Sequence, residues 1–344
     1  MLAEMGRYYH PGSAMNDLTG LVPIDSVWQR VARVEERLLE ASSSDDPYLT
    51  KIAQHLLHAG GKRFRPLLAS LAAEFGTPKD RRPVEAGVAV ELIHVGSLYH
   101  DDVIDEADTR RGAASVNANW TNTAAILAGD FLMARASEVA ATHLNKESVQ
   151  MLARTYAELV EGQVLEHQLV GDLNHPADDY HRVIGGKTAC LIRTSARLGA
   201  IAADASAEVI EAVSTWAWEV GMVFQIADDA LDLVASEDLL GKPAGSDIRE
   251  GTFTLPVLLA AEGPRGEQVR RLLSGPRPYP DEIVTEVMGL VRAGGHVDTV
   301  LDSAMERLQA ADQAIGDLPD GKPRQALRDL GLFLVDRVQA LRAE

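Results

Sequence analysis

Positive charge is scarce in this sequence: 33 Lys and Arg face 51 Asp and Glu, a formal net charge of −18 over 344 residues. Sequence-independent binding to nucleic acid needs clustered cations that displace phosphate counterions, so a nucleic-acid partner is excluded. Cysteine is nearly missing too. Cys190 stands alone and can form no internal disulfide, so no oxidising compartment is required and a cytoplasmic setting is expected. Aromatic residues make up only 5%, which together with abundant Ala and Leu favours helix over sheet. No run of about 18 uncharged apolar residues occurs, so no membrane-spanning helix is predicted. The first twenty residues also lack the apolar region of about 7–15 residues that marks a secretory signal. What is present is 46% hydrophobic residues, ordinary for a globular chain and too many for disorder.

The pattern along the chain is helical. Residues 1–24 are Gly-, Pro- and polar-rich without a clear period and read as a flexible leader. From Ile24, Val27, Val31, Val34 and Leu38 recur every three or four residues, and Ser42 to Pro47 stop the helix. A second helix is predicted over 48–58, ending at Gly60-Gly61, and a third runs from near Pro66 towards Phe75. Residues 84–105 leave almost no polar face, the mark of a buried central helix. Further helices are predicted near 119–142, 146–170, 187–203, 206–236, 252–262, 280–293, 295–315 and 322–342, with a surface loop over 264–282. Period-two Val/Ile/Thr runs, internal repeats and long linkers are missing. The length would suit about two domains, yet the pattern gives one all-α domain over residues 25–344, a single large helical bundle.

Two acidic clusters interrupt this apolar pattern. Asp101-Asp102-Val103-Ile104-Asp105 and Asp228-Asp229-Ala230-Leu231-Asp232 each place their first and last aspartates one helical turn apart on one face. Like charges at that spacing cost about 0.2–0.5 kcal/mol per pair when exposed, and more on a buried helix. Hard divalent cations with oxygen ligands, Mg²⁺ above all, remove that cost. Cationic counterparts lie nearby in the sequence. Gly60-Gly61-Lys62-Arg63-Phe64-Arg65-Pro66 is a Gly-rich basic turn opening a helix, Arg110-Arg111-Gly112 follows the first cluster, and Gly185-Gly186-Lys187-Thr188 reads as a third basic turn. Backbone N–H groups at a helix start, with Lys and Arg, suit phosphate oxygens. Metal-binding carboxylates beside local cations point to a diphosphate substrate.

In order and spacing the motifs resemble those of the trans-isoprenyl diphosphate synthases, or polyprenyl synthetases. The match runs from about residue 50 to the C-terminus. It includes GGKRFRP at 60–66, ELIHVGSLYHDDVIDEADTRRG at 91–112, AGDFL at 128–132, EGQ at 161–163, GGKTACL at 185–191, FQIADDALDL at 224–233 and GKPAGSDIREG at 241–251. The resemblance implies an all-α bundle around a deep cavity, a homodimer, and a peripheral contact with a membrane as an option for product release. It implies that Asp101, Asp102 and Asp105 on one wall and Asp228, Asp229 and Asp232 on the other hold about three Mg²⁺ ions on an allylic diphosphate. Arg110, Lys187 and Lys242 would add charge to that diphosphate. Lys62, Arg65, His94 and Arg111 match positions that bind isopentenyl diphosphate, and Gln225 and Thr188 match polar groups near the cationic carbon. For Gln163 and Thr188, ordinary helix packing is the competing reading. The allylic C–O bond breaks when its leaving group is stabilised, the cation is shielded from water by an apolar cavity, and isopentenyl diphosphate attacks. The released diphosphate is implied to take the proton, so no protein base is nominated.

One departure stands out. Thr252 occupies a position where many members carry lysine, and Arg249 is a candidate replacement. Product length is expected to depend on side chains one turn before Asp101, here the small Gly96 and Ser97, with Ile93 a turn further down. Small residues there imply a product of C30 or longer, with geranylgeranyl diphosphate (C20) as the alternative if Ile93 closes the cavity. Gly96→Phe is expected to shorten the product. A non-catalytic subunit of a two-component synthase is a competing reading, although such subunits lose carboxylates and all six are kept here. A terpene cyclase would need a Glu after Asp228, Asp232 and Ser236 in steps of four, and that Glu is missing.

Overall fold

The computed structural model describes residues 15–78, 81–234 and 243–342, so Lys242 and Ser236 lie outside the described residues. The chain groups into two compact units. One comprises Met1–Tyr156, Leu191–Ser214 and Asp317–Ala326; the other comprises Ala157–Cys190, Thr215–Gly316 and Leu327–Glu344. Regular structure among the described residues is helical apart from one small hairpin, as the composition implies.

In chain order the elements begin with α1 (Met15–Leu21), α2 (Asp25–Ala41), α3 (Pro47–Ala53), α4 (His55–His58), α5 (Phe64–Ala72) and α6 (Arg82–Ile104). The hairpin β1 (Thr109–Arg110) and β2 (Ala113–Ala114) precedes α7 (Val116–Asn119), α8 (Asn122–His143), α9 (Lys146–Leu169) and α10 (Ala177–Ile184). Then come α11 (Cys190–Ala202), α12 (Ala207–Val234), α13 (Ser246–Glu250), α14 (Leu255–Glu262) and α15 (Gly266–Leu272). The last are α16 (Asp281–Ala293), α17 (His296–Ala314) and α18 (Lys322–Arg342). None of the described helices is long and apolar enough to cross a membrane.

In the first unit α6 is the central helix that its sequence predicts, buried on nearly all sides and packed against α2, α5 and, most extensively, α8. The α2 stripe of Val27, Val31, Val34 and Leu38 is fully buried, at about 1.5–3 kcal/mol per side chain. The expected helix over 48–58 is broken into α3 and α4. The break is supplied from α6: the Tyr99 hydroxyl donates to Ile52 O at 2.9 Å and accepts from Leu56 N at 3.2 Å, satisfying groups that an unbroken helix would pair internally. The leader is not featureless at its end, because Leu18 and Val22 are buried and Trp28 Nε1 donates to Val22 O at 2.8 Å.

In the second unit α14 packs against α15, α16 and α17. The predicted loop over 264–282 instead contains α15, whose Val269 is buried. Gly266 permits this turn, since a Cβ there would lie 2.1 Å from Ala261 O. Helix α10 was not anticipated; its Tyr180, Val183 and Ile184 form a buried face of one turn.

Candidate active site

The less buried face of α6 carries the first acidic cluster. His94, Ser97, Leu98 and Asp101 are partly exposed and Asp105, which caps the helix, is fully so. These residues recur every three or four positions and therefore share one face. Asp102 points elsewhere. It is fully buried, and its Oδ1 accepts from Arg110 Nε at 2.6 Å while its Oδ2 is buried without a hydrogen bond. Burial pushes the Asp102 pKa up, against the pull of Arg110. The β1–β2 hairpin aims Arg110: its two-residue turn has positive φ at Arg111 (55°) and Gly112 (74°), the pairing that suits a tight hairpin.

The basic turn before α5 forms as expected, with left-handed backbone at Gly60 (φ 86°) and Arg63 (φ 46°). Its three cations differ in role. Arg63 is buried and spent on ion pairs with Glu35 and with Glu91 at 3.2 Å. Lys62 is exposed and Arg65 partly so. Arg111 donates to Leu56 O at 3.1 Å and to Gly60 O, which holds the hairpin against this turn. His94 sits among these cations. Burial first, then Arg65, Arg111, Arg63 and Arg110, push its pKa well below the usual histidine value. A neutral imidazole ringed by guanidinium groups is an electropositive spot that a polyanion would complete.

In the second unit Asp228 is exposed, whereas Asp229 and Asp232 are buried. Asp229 accepts from Tyr180 Oη at 2.7 Å and from Gln225 Nε2 at 2.8 Å, and Thr188 Oγ1 donates to Gln225 Oε1 at 2.9 Å. Burial, then the charge of Asp247, pushes the Asp229 pKa up to about 8. The Asp247 N–H in turn faces Asp232 Oδ2 at 3.4 Å. Lys187 pairs with Glu166. Glu166, Tyr180, Lys187, Thr188, Gln225 and Asp229 line one cavity of about 160 Å³, together with Thr252.

The Gly185-Gly186-Lys187-Thr188 segment is not a loop. It is a π-helical turn, Gly185–Ala189, continuous with α10 and α11. Its glycines serve helix packing: a Cβ on Gly162 would lie 2.6 Å from Lys187 N, and one on Gly186 would lie 2.9 Å from Gly162 Cα. The EGQ motif on α9 is thus read by close backbone approach at Gly162, and Gln163 is partly buried beside it. Gly96 is also a packing glycine. A Cβ there would meet Met133 Cε at 3.0 Å and Gly129 O at 3.1 Å, while one on Gly129 would meet Gly96 O at 3.0 Å. Ser97 is partly exposed, with its hydroxyl on His94 O at 2.9 Å, and Ile93 is buried. Arg249, the candidate replacement for the absent lysine, pairs with the exposed Asp281.

Among the described residues no three His, Cys, Asp or Glu side chains converge tightly enough to hold a metal ion by themselves. The donors at both clusters are nevertheless carboxylate oxygens, and Asp102 Oδ2 is buried without a hydrogen bond. That chemistry fits hard cations whose remaining ligands are water and phosphate oxygen. Sequence reasoning missed Tyr180, Glu166 and Asp247. Tyr180 lies on a helix that the sequence pattern did not mark, and the two acids read only as members of an acidic chain.

The polyprenyl synthetase family model matches residues 46–291. Nonaprenyl diphosphate synthase of Mycobacterium tuberculosis is 40% identical over 324 residues, covering 93% of this chain and 96% of that one. Heptaprenyl diphosphate synthase component 2 of Geobacillus stearothermophilus is 40% identical over 310 residues, covering 89% and 95%. A crystal structure of geranylgeranyl pyrophosphate synthase from Corynebacterium glutamicum, complexed with calcium and isoprenyl diphosphate, superposes with a TM-score of 0.80 at 40% identity, covering 96% and 99%.

Proposed function

Because the chain belongs to the polyprenyl synthetase family and is a prenyltransferase with that family's all-α fold, we propose that it condenses isopentenyl diphosphate with an allylic prenyl diphosphate. The product is a trans-polyprenyl diphosphate of medium or long chain. The observation that carries the reaction is the retention of all six cluster aspartates in the chain, together with a His94 ringed by arginines on the helix that bears the first cluster. The names of the nonaprenyl and heptaprenyl relatives support the longer product. An equal identity to a geranylgeranyl synthase favours C20 as the second reading.

About three Mg²⁺ ions, held by the aspartates of both sets, would neutralise the departing allylic diphosphate as Lewis acids. Arg110, Lys187 and Lys242 add fixed charge to the same group. Lys187 exchanges Glu166 for a diphosphate oxygen on binding. Lys62, Arg65 and Arg111 hold isopentenyl diphosphate by charge, and neutral His94 adds a hydrogen bond. The oxygens of Thr188 and Gln225 face the carbon that becomes cationic. Apolar walls exclude water, and the proton lost from the adduct leaves with the released diphosphate.

The assembly proposed is a homodimer. On α8, Ile126 and Leu127 are 43% and 58% exposed, an apolar surface that a second subunit would cover. The likeness to a component 2 protein makes a two-component synthase the competing assembly. Incubating the purified chain alone with farnesyl diphosphate, labelled isopentenyl diphosphate and Mg²⁺ tests all of this. Labelled products longer than C20 are expected, and chelation of the metal should stop their formation. No product without a second protein would favour the two-component assembly, and products ending at C20 would refute the longer chain. Hydrocarbon formed from farnesyl diphosphate alone would point to a cyclase.

A further inference from the structure

We infer that Tyr180 is a positioning residue: acting through Asp229, it fixes the Gln225 amide so that its carbonyl oxygen, and not its N–H, is turned to Thr188 and their shared cavity. The inference rests on the reading above, in which Thr188 and Gln225 lie beside the carbon that becomes cationic.

Donors and acceptors decide which way the Gln225 amide is turned. A phenol at neutral pH is a donor, with an ordinary pKa of about 10. Tyr180 is 4% exposed and its hydroxyl meets Asp229 Oδ2 at 2.7 Å. Whether Asp229 is ionised or neutral, the Tyr180 oxygen engages Oδ2 and holds any acid proton on that side, so Oδ1 stays an acceptor. Oδ1, 2.8 Å from the Gln225 amide, therefore faces the nitrogen end. The carbonyl end is then left to accept from Thr188 Oγ1 at 2.9 Å. Turning the amide over would set its oxygen against Oδ1, a second acceptor, a repulsive pairing. The Tyr180 hydroxyl matters because it occupies Oδ2 and keeps the carboxylate plane from swinging away from Gln225. Neither Tyr180 nor Asp229 needs to touch substrate for this. The consequence is electrostatic: an amide oxygen carries partial negative charge and stabilises a developing cation, whereas the N–H end opposes it. Tyr180→Phe keeps the ring that fills the buried face of α10 and deletes only the hydroxyl.

The test is a double-mutant cycle on the full-length chain with farnesyl diphosphate, isopentenyl diphosphate and Mg²⁺. Tyr180→Phe is expected to lower kcat about tenfold, with KM for both substrates within about twofold and the melting temperature within a few degrees. Adding Tyr180→Phe to Gln225→Leu should cost nothing further, because the residue through which Tyr180 acts is already gone. Multiplicative losses in the double variant would overturn the inference. So would an unchanged kcat, or a lowered melting temperature with kcat preserved, since those mark a packing role. Wild-type chain that forms no prenyl product would instead overturn the reading on which the inference rests.

Discussion

The Arg110 guanidinium reaches back eight residues to Asp102, Nε to Oδ1 at 2.6 Å, and this contact divides the first acidic cluster. Asp102 becomes a buried anchor for the hairpin, while Asp101 and Asp105 remain on the accessible face of α6. The same contact places the Arg110 cation, which also belongs to the proposed diphosphate site, within a turn of those two carboxylates. Three aspartates that look equivalent as a motif therefore carry different loads.

Substitutions should separate those loads. Asp101→Asn is expected to lower kcat by about a hundredfold or more with a smaller change in melting temperature than Asp102→Asn, since Asp101 lies on the accessible face of α6. Asp102→Asn removes the buried partner of Arg110 and should cost about 1–3 kcal/mol of stability. Thermal melts beside steady-state rates decide this, and equal effects on both measurements for the two variants would contradict the division.

His94 makes a prediction about pH. Its folded-state pKa is depressed by burial and neighbouring arginines, so below about pH 6.5 the unfolded chain binds a proton that the folded chain refuses. Stability attributable to His94 is then complete above pH 6.5 and falls as pH drops towards the depressed value, by up to about 1.4 kcal/mol per pH unit. Comparing melts of wild type and His94→Gln from pH 8 to pH 5 isolates the effect. The wild type should lose more stability than the variant on acidification, and parallel curves would sink the claim.

The Lys187–Glu166 pair bears on substrate capture. Both side chains are partly exposed, 31% and 20%, so the pair itself is worth only about 0.2–1 kcal/mol. Diphosphate must compete with that carboxylate for the lysine. Glu166→Gln should tighten metal-free pyrophosphate binding by about two- to fivefold in calorimetry. Weaker binding would mean that Glu166 helps hold the ligand and does not compete with it.

Legibility in the sequence followed the range of the interactions. Helices α2 and α6 were readable because their burial repeats locally, and the acidic clusters because like charges on an apolar helix demand a partner. The break between α3 and α4 was not readable, because the Tyr99 hydroxyl that enables it lies 47 residues from Ile52. The glycines at 185 and 186 carried the same ambiguity. A Gly-Gly pair looks like a phosphate turn until the backbone of Gly162 is found against it. Tyr180 was silent for a related reason, since its meaning depends on which carboxylate its hydroxyl meets.

Gly96 shows what such distant contacts change for product length. As a small residue one turn before Asp101 it suggests an open floor, and Gly96→Phe would be the natural substitution to shorten the product. The site has no room for it: even a Cβ would stand 3.1 Å from the Gly129 carbonyl, a backbone atom that cannot move without shifting α8. Overpacking of this kind costs about 1–3 kcal/mol or more, so Gly96→Phe should lower the melting temperature and the yield of folded protein. Ser97 is the better probe, because it is partly exposed on the face that also carries His94 and Asp101. Ser97→Phe should keep the melting temperature close to wild type and shift the products towards fewer isoprene units. Chromatography of the products of both variants, read beside their melts, distinguishes a floor residue from a packing residue. If Gly96→Phe folded normally and shortened the product while Ser97→Phe left it unchanged, the assignment of the two positions would have to be reversed.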